Sequence, residues 1–173
     1  MIEVLRLGHR IARDKRISTH VALVARAFGA NKIYYSGQKD SGMEKSVSKV
    51  SNDFGEDFEI EHINGVKSLI LDKKKKGFKV VHLTVYGEHI VDVVSKLKDK
   101  DILFIIGGEK VPGEIYELAD YNSCVGSQPH SEVAALGISL YEYFGKSILK
   151  KKFKNAKLEI IPEKKGKNIV KLK

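Results

Sequence analysis

Several protein classes are excluded by what the chain lacks. Cys124 is the single cysteine among the 173 residues, so neither an intramolecular disulfide nor a cysteine zinc cluster can form. No stretch approaches the roughly 18 apolar residues that a membrane span requires. The first ten residues carry charges and have no apolar signal-peptide core, so we expect a cytoplasmic protein. Cys124 itself is expected to be a small buried residue.

Two familiar nucleotide-binding motifs are absent as well. Gly108 and Gly113 have the spacing of a P-loop, but Glu-Ile follows where Lys-Ser/Thr is required. The turn after the first predicted strand reads LGHR (residues 7–10), which departs from the dinucleotide-binding pattern GxGxxG. His130 lacks the ligand spacing of a metal site. These features argue against an NTP-dependent enzyme and against a bound metal ion.

The charge of the chain is strongly one-sided. Thirty-one Lys and Arg against 22 Asp and Glu give a net charge of +9. Lysine runs at residues 73–76, 150–152 and 164–165 contribute much of it. A basic field favours encounter with a polyanion such as RNA, although a solvated lysine-rich surface is also typical of heat-adapted proteins. The run at 73–76 precedes Gly77 and is interpreted as a partner of a helix dipole.

Apolar stretches alternate with amphipathic ones along a chain of single-domain size. Predicted strands cover residues 2–7, 32–35, 58–63, 79–85, 102–106 and 122–125. Predicted helices cover residues 19–28, 43–54, 66–74, 89–97, 114–118 and 132–144. This alternation predicts an α/β fold with a parallel sheet and helices on both faces. Two further strands, at 157–161 and 168–172, predict a basic β-hairpin. We therefore divide the chain into a main part, residues 1–152, and an extension of the same domain, residues 153–173.

The predicted topology indicates where a ligand would bind. In an open parallel sheet, ligands bind beyond the carboxyl ends of the strands. Three loops leave such ends, after Leu83, after Ile106 and after Val125. The second begins with Gly107-Gly108, where the backbone can approach a ligand closely, although an ordinary strand-to-helix turn would look the same. In the third loop, before the helix at 132–144, Ser127 and Ser131 are candidate ligand contacts or simple helix caps.

Arginines concentrate near the first predicted helix. Arg10, Arg13 and Arg16 precede it and Arg26 lies within it, on the side away from the apolar face. An arginine off the core face is usually solvated or in a surface ion pair. Several of them beside a strand end, in a basic protein, favour contacts with RNA phosphates.

Seven stretches carry a resemblance to a known family. They read LRLGHR (5–10), RDKR (13–16), THVAL (19–23), ARAFGA (25–30), GEKVP (108–112), ELADYN (117–122) and QPHSEVAAL (128–136). In these the chain resembles the archaeal tRNA (cytidine(56)-2′-O)-methyltransferase family, a branch of the SPOUT methyltransferases. The resemblance implies a parallel-sheet SPOUT fold with a C-terminal deep trefoil knot, a homodimer, tRNA as substrate and S-adenosylmethionine as methyl donor.

The resemblance also implies roles for individual residues. The implied cofactor-binding residues are Leu83, Gly107, Gly108, Glu109, Lys110, Val111, Val125, Gly126, Ser127, Gln128, Pro129, His130, Ser131 and Glu132. The implied catalytic residues are Arg26, Arg16 and His20, and the implied RNA-binding residues are Arg10, Arg13 and Arg16. Arg26 follows His20 at the family's spacing, but Phe28-Gly29 comes sooner than expected, which makes Arg16 a second candidate. Arginine stays protonated in most settings, so phosphate positioning competes with proton abstraction as its role.

Two alternative functions remain open from the sequence. A SPOUT methyltransferase acting on another RNA site would share the donor loops. A non-catalytic RNA-binding α/β domain would explain the charge, but it would leave the glycine loop and the stretch at 128–132 unexplained.

Overall fold

The sheet at the centre of the molecule has six parallel strands. The computed structural model describes residues 1–108 and 110–172, apart from the side chain of Lys15. The strands are Ile2–His9 (β1), Lys32–Gly37 (β2), Glu59–His62 (β3), Lys79–His89 (β4), Ile102–Ile106 (β5) and Tyr121–Cys124 (β6). Their order is β3-β2-β1-β5-β4-β6, and every neighbouring pair is parallel. The predicted α/β fold with a parallel sheet is confirmed.

In the described part of the chain, six α-helices cover the two faces of the sheet. They are Ile11–Ala27 (α1), Ser41–Phe54 (α2), Val66–Lys75 (α3), Ile90–Lys96 (α4), Gly113–Leu118 (α5) and Glu132–Phe144 (α6). A 3₁₀ helix, Lys146–Lys150, follows α6. Within these described residues, no helix has both the length and the apolar character that crossing a membrane requires.

The alternation of side chains along the central strands builds two apolar cores. On β5, Ile102, Phe104 and Ile106 pack with residues of α1, α2, α4 and α6. Leu103 and Ile105 point the other way and pack with residues of α3 and α5. Because successive side chains in a strand face opposite sides, a strand that is buried on both faces is apolar throughout, as β5 is.

Helix α1 begins eight residues earlier than predicted. The stretch from 11 to 18 was expected to be a loop, but no glycine or proline interrupts it. Asp14 lies in the first turn, and Arg10 Nε contacts its carboxylate at 3.1 Å in an i,i+4 pair. A carboxylate near a helix N-terminus is favourable because the amide dipoles there are positive. Arg13 and Arg16 therefore project from a helix, and the predicted loop is wrong.

Strand β4 contains a detour that the sequence did not predict. Val81 to Leu83 pair with Tyr121 to Ser123, and the pairing resumes where Glu88 and His89 meet Ser123 and Cys124. Residues 84–87 therefore leave the ladder. Gly87 closes this segment against β6, where a Cβ would lie 2.2 Å from the backbone oxygen of Asn122. We call residues 84–87 the β4 detour.

The C-terminal residues form the predicted hairpin. Leu158–Ile161 (β7) and Asn168–Lys171 (β8) pair in antiparallel fashion. Backbone hydrogen bonds join the segment just before β7 to the end of α2: the Glu56 amide donates to the Lys154 oxygen at 2.8 Å, and the Lys157 amide donates to the Asp53 oxygen at 3.0 Å. The division of the chain at residue 152 stays a prediction.

The lysine run at 73–76 is largely committed to contacts within the chain. Lys73 is buried, forms an ion pair with the buried Glu3, and lies over the rings of Tyr34 and Phe78. Lys74 Nζ donates to the Leu118 oxygen at 2.9 Å. The interpretation of this run as a set of simple dipole partners is therefore wrong for Lys73, which holds α3 against β1.

Candidate active site

Two adjoining cavities open at the carboxyl edge of the sheet. The first has a volume of about 560 Å³ and lies beyond β4 and β5. We call it the β4–β5 cavity. Its walls come from the end of β4 and the β4 detour, from the glycine loop after β5, from α5, and from the start of α6. Its lining residues are Arg13, His82, Leu83, Thr84, Val85, Tyr86, Ile106, Gly107, Gly108, Val111, Tyr116, His130, Glu132 and Ala135.

The second cavity has a volume of about 660 Å³ and lies beyond β1 and β2. We call it the β1–β2 cavity. It shares Arg13 and Gly108 with the first cavity, so the two are adjacent. Its other lining residues are Leu7, Gly8, His9, Arg10, Ser36, Gly37, Gln38, Val66, Lys67, Lys110, Pro112, Glu114 and Ile115.

The glycine loop after β5 folds back tightly on itself. A Cβ on Gly107 would lie 1.9 Å from Cγ2 of Val111, so any side chain at this position would displace Val111. Gly108 presents bare backbone to both cavities, and its nearest side-chain neighbour is the guanidinium of Arg6 at 3.7 Å from a Cβ position. The loop is thus shaped to bring main-chain groups close to a ligand.

A buried arginine supports this loop from below. Arg6 on β1 is 2% exposed, and its Nη1 donates to the Leu7 oxygen at 2.6 Å. Its Nη2 lies 3.5 Å from a carboxylate oxygen of Glu132, the first residue of α6. Burial lowers the pKa of Arg6, and the negative charge of Glu132 opposes that shift. The pair joins β1 to the start of α6 beneath Gly108.

His82 adds a fully buried imidazole to the β4–β5 cavity. Its Nδ1 lies 2.9 Å from Oδ1 of Asn122, whose amide nitrogen donates to the Tyr116 oxygen at 2.9 Å. Because Asn122 thereby presents an acceptor to His82, the proton belongs on Nδ1, and Nε2 is left as an acceptor. This Nε2 is buried and has no hydrogen-bond partner among the residues that the structure describes. Burial lowers the pKa of His82, which favours the neutral form.

A second buried histidine braces the β1–β2 cavity. His9 Nδ1 lies 2.9 Å from Oγ of Ser18, and Nε2 lies 3.4 Å from a carboxylate oxygen of Asp40. Asp40 caps α2 by accepting from the Met43 amide at 2.9 Å, and that hydrogen bond lowers the pKa of Asp40. The end of β1 is thereby attached to the middle of α1 and to the start of α2.

The predicted cofactor-binding residues divide into three groups. Leu83, Gly107, Gly108, Val111, His130 and Glu132 line the β4–β5 cavity together. Lys110 lines the β1–β2 cavity. Val125, Gly126, Ser127, Gln128, Pro129 and Ser131 lie in or beside the loop between β6 and α6 without lining either cavity. Glu109 lies outside the described residues.

Helix α6 begins at Glu132, where the sequence predicted it. Ser131 is the N-cap of α6, and its Oγ accepts from the Val133 amide at 3.2 Å. The capping interpretation therefore holds for Ser131, and Pro129 lies in the loop before the helix.

The arginines and His20 do not gather at one point. Arg10 and Arg13 line the β1–β2 cavity. Arg16 and His20 are exposed on α1 and line neither cavity. Arg26 lies at the far end of the helix, about 20 Å from Arg13 at 1.5 Å per residue.

The prediction that Arg26 lies off the core face is wrong. The residue is 5% exposed, Nη2 donates to the Gly55 oxygen, and the guanidinium lies 4.9 Å from the ring centre of Phe153. These partners come from the α2 end and from the C-terminal segment, both distant in sequence. The helical periodicity of α1 alone therefore could not locate them.

Several site residues were missed by sequence reasoning. Arg6 and His82 sit inside apolar strands, where one polar residue between apolar neighbours was the available signal. Gln38, Lys67 and Glu114 reach the β1–β2 cavity from three separate elements, and nothing in their local sequence indicates that they meet. In the part of the chain that the structure describes, no group of His, Cys, Asp or Glu has the arrangement of a metal site.

Solved structures that align with this chain include RNA-modifying enzymes of the SpoU/TrmH class. A TrmH/SpoU tRNA-modifying enzyme from A. aeolicus aligns with a TM-score of 0.61 at 20% identity, over 82% of this chain and 73% of that one. The SpoU methyltransferase AviRb from Streptomyces viridochromogenes, solved with AdoMet, aligns with a TM-score of 0.59 at 14% identity, over 83% of this chain and 56% of that one. At these identities the likeness establishes the fold.

Sequence comparison establishes the family. A family model described as tRNA ribose 2′-O-methyltransferase, aTrm56, matches residues 54–170. The tRNA (cytidine(56)-2′-O)-methyltransferase of Thermococcus kodakarensis is 51% identical over 177 residues, which cover 99% of this chain and 98% of that protein. The enzyme of the same name from Methanocaldococcus jannaschii is also 51% identical, over 100% of this chain and 98% of its own length. The chain belongs to the aTrm56 family of tRNA ribose 2′-O-methyltransferases.

Proposed function

We propose that this protein transfers a methyl group from S-adenosylmethionine to the ribose 2′-hydroxyl of cytidine 56 in tRNA. The observation that carries the proposal is the β4–β5 cavity, where the end of β4, the glycine loop after β5 and the start of α6 converge. These are the strand ends at which a parallel sheet binds ligands. Relatives about half identical over their full length carry the name of this activity.

The residues of the β4–β5 cavity fit the methyl donor. Gly107 and Gly108 offer main-chain groups at a place where a Cβ on Gly107 would collide with Val111. Leu83 and Val111 supply apolar surface, and His82 supplies a buried acceptor that has no partner in the described part of the chain. We assign Leu83, Gly107, Gly108, Val111 and Glu132 to holding S-adenosylmethionine, with the other predicted loop residues around it. When bound, S-adenosylmethionine supplies an electrophilic methyl group.

The chain itself must prepare the nucleophile. A ribose hydroxyl reacts poorly unless its proton is removed or strongly polarised. His130 and Glu132 line the cavity and carry side chains that can accept a proton, with Glu132 held in place by Arg6. Arg13 lies where the two cavities meet, so we assign it to a substrate phosphate that fixes the ribose in position.

The roles of the other basic residues follow from their positions. Arg10 lines the β1–β2 cavity with Arg13 and belongs to the same phosphate-binding surface. Arg16 and His20 are exposed further along α1 and remain candidate catalytic residues. The contacts of Arg26 with Gly55 and Phe153 favour a structural role for that residue.

We also propose that the C-terminal part of the main domain is threaded into a trefoil knot. Two contacts support this. Strand β6 pairs with β4 on both sides of the β4 detour, and after β6 the chain returns so that α6 packs on α1, α4, β4 and β5. Because its substrate is tRNA, we place the enzyme in the cytoplasm.

A homodimer is the second structural proposal. An apolar groove runs between α1 and α6, lined by Val24, Phe28, Val133, Ala134, Gly137, Ile138, Tyr141 and Leu149. Ile138 and Leu149 are 43% and 63% exposed there. Exposed apolar patches of this kind mark association surfaces.

Sedimentation of an Ile138→Glu variant tests the dimer. We expect the wild type to sediment as a dimer and the variant as a monomer, because a carboxylate would be buried at the contact. The matched control is Val91→Glu on α4, which is 57% exposed outside the groove and should remain dimeric. A monomeric wild type, or a dimeric Ile138→Glu variant, would refute the proposal.

Mapping the product tests the function. Unmodified tRNA is incubated with the protein and S-adenosylmethionine, and the methylated nucleotide is located by mass spectrometry. We expect one methyl group on the ribose of nucleotide 56. Methylation elsewhere would support the alternative of another RNA site. Calorimetry with S-adenosylmethionine separates these two methyltransferase functions from a non-catalytic RNA-binding domain, because such a domain should give no heat of binding. Family membership already disfavours the non-catalytic alternative.

A further inference from the structure

The methyl donor is assigned to the β4–β5 cavity and therefore does not account for the β1–β2 cavity. The β1–β2 cavity adjoins it and has a volume of about 660 Å³. Leu7, Val66 and Ile115 give it apolar surface. Four basic residues also line it, namely Arg10, Arg13, Lys67 and Lys110. An apolar slot surrounded by cations fits a nucleobase whose flanking phosphates stay near the rim.

The connection between the two cavities limits what the second one can hold. Gly108 and Arg13 belong to both, and Gly108 contributes no side chain to the boundary. In a nucleotide, the 2′-oxygen and the base are attached to adjacent ribose carbons. A 2′-hydroxyl placed against the donor therefore puts its own base into the neighbouring space.

Two polar side chains in the β1–β2 cavity can read the edge of a base. Glu114, at the start of α5, is about half exposed and is paired with Lys67 of α3. Gln38 accepts from the Ile11 amide at 2.8 Å through Oε1, so its NH₂ group is the part available to donate. A carboxylate acceptor and an amide donor complement the exocyclic amine of cytosine and its ring N3 or O2 acceptors.

We propose that the β1–β2 cavity binds the base of the target nucleotide, and that Glu114 selects cytosine by accepting a hydrogen bond from its exocyclic amine. This inference rests on the proposed function and deepens it. Uracil carries an oxygen where cytosine carries the amine, so its O4 would face the Glu114 carboxylate without a proton between them. Single-stranded RNA bases are commonly read along this edge by side chains.

The test uses Glu114→Gln with two tRNAs that carry cytidine or uridine at position 56. A glutamine can present either its oxygen or its NH₂ group, so it accepts both bases. We expect wild-type kcat/KM to favour the cytidine tRNA, and this preference to fall about tenfold in Glu114→Gln. Affinity for the two tRNAs, measured by filter retention without S-adenosylmethionine, should lose its preference in parallel.

Two variants control for charge and for the ion pair. Glu117→Gln removes an exposed carboxylate from the same helix at a position that lines neither cavity, and should retain the wild-type preference. Lys67→Met breaks the ion pair with Glu114; it should weaken binding of both tRNAs and leave the preference for cytidine.

The outcomes separate this inference from the proposed function. Wild-type protein that fails to methylate nucleotide 56 would contradict the proposed function. Wild-type methylation with an undiminished preference in Glu114→Gln would overturn the assignment of Glu114 alone. Calorimetry with S-adenosylmethionine should give wild-type affinity in Glu114→Gln, and a large loss there would instead place the donor in the β1–β2 cavity and overturn the inference.

Discussion

At the scale of single residues, the shape of the β4–β5 cavity depends on Gly107 and Val111 together. The loop can fold back because Gly107 has no Cβ, and the space that a Cβ would need is occupied by the Val111 side chain. Glycine is needed here for close approach. The buried polar residues of the site are likewise held in position by only one or two partners each.

Gly107→Ala should therefore weaken binding of S-adenosylmethionine about tenfold or more, because Val111 must move into the cavity. Calorimetry measures the affinity, and Gly107→Ala with Val111→Ala should restore part of it by removing the colliding methyl group. Gly113→Ala is the matched control, since no other described residue outside its own helical turn comes within 4 Å of its Cβ position. Unchanged affinity in Gly107→Ala would contradict this account of the loop.

His82 should make stability depend on pH below 6.5. Burial lowers its pKa from the ordinary 6.5, so between the two values the unfolded chain binds a proton that the folded chain does not. The free energy of unfolding then falls as pH drops below 6.5, by at most about 1.4 kcal/mol per pH unit. In His82→Asn, which keeps a donor for Asn122, this loss should disappear.

Urea denaturation at a series of pH values between 5 and 7 measures this effect. The exposed His20 provides a control, because His20→Asn should follow the wild-type curve. Parallel curves for the wild type and His82→Asn would show that His82 does not contribute.

At the scale of elements, α1 links two ends of the molecule. Its first turns carry Arg10 and Arg13 to the β1–β2 cavity, and its last turn carries Arg26 to the Gly55 turn and Phe153. Arg26→Met should cost about 2–3 kcal/mol of stability, because it leaves the buried Gly55 oxygen without a donor. S-adenosylmethionine affinity should be unchanged. Urea denaturation and calorimetry measure the two quantities.

Arg16→Met is the matched comparison for Arg26. Arg16 is exposed on the same helix, so its replacement should change stability by less than about 0.5 kcal/mol. If Arg16 acts on the substrate, methylation should fall while stability and donor affinity stay the same. Wild-type stability in Arg26→Met together with lost turnover would return Arg26 to a catalytic role.

The elements also show what a sequence can and cannot predict. Strand β5 was predicted with its observed bounds because an uninterrupted apolar run has few alternatives. The α6 helix was predicted with equal accuracy from its periodicity. The burial of Arg26 and the β4 detour could not be predicted from the sequence. Arg26 contacts Gly55 and Phe153, and β4 pairs with Ser123, only once the chain has folded.

At the scale of the whole molecule, only some of the basic residues are placed to bind RNA. Lys73 is buried in an ion pair, and Lys32 is paired with Glu59 and Glu61 near the amino ends of the strands. Net charge alone predicted affinity for RNA, and the specific function was predicted from the resemblance to a known family. The structure shows which basic residues line a cavity, namely Arg10, Arg13, Lys67 and Lys110.

Arg10→Gln and Arg13→Gln should each lower the salt dependence of tRNA binding. The slope of log K against log salt concentration should decrease by about 1 for each phosphate that is no longer neutralised. Affinity measured over a range of KCl concentrations gives this slope. Lys32→Gln, at the opposite end of the sheet, should leave the slope unchanged, and an equal decrease there would argue against a defined phosphate-binding surface.

Strand β6 is four residues long, yet it holds β4 on both sides of residues 84–87. Both ends of residues 84–87 are paired with the same strand, so β6 fixes the distance that these residues must span. Tyr86 lies in this segment, is 85% exposed and lines the β4–β5 cavity. The length of this segment is constrained, because one residue more or fewer would shift the register in which the second half of β4 pairs with Cys124.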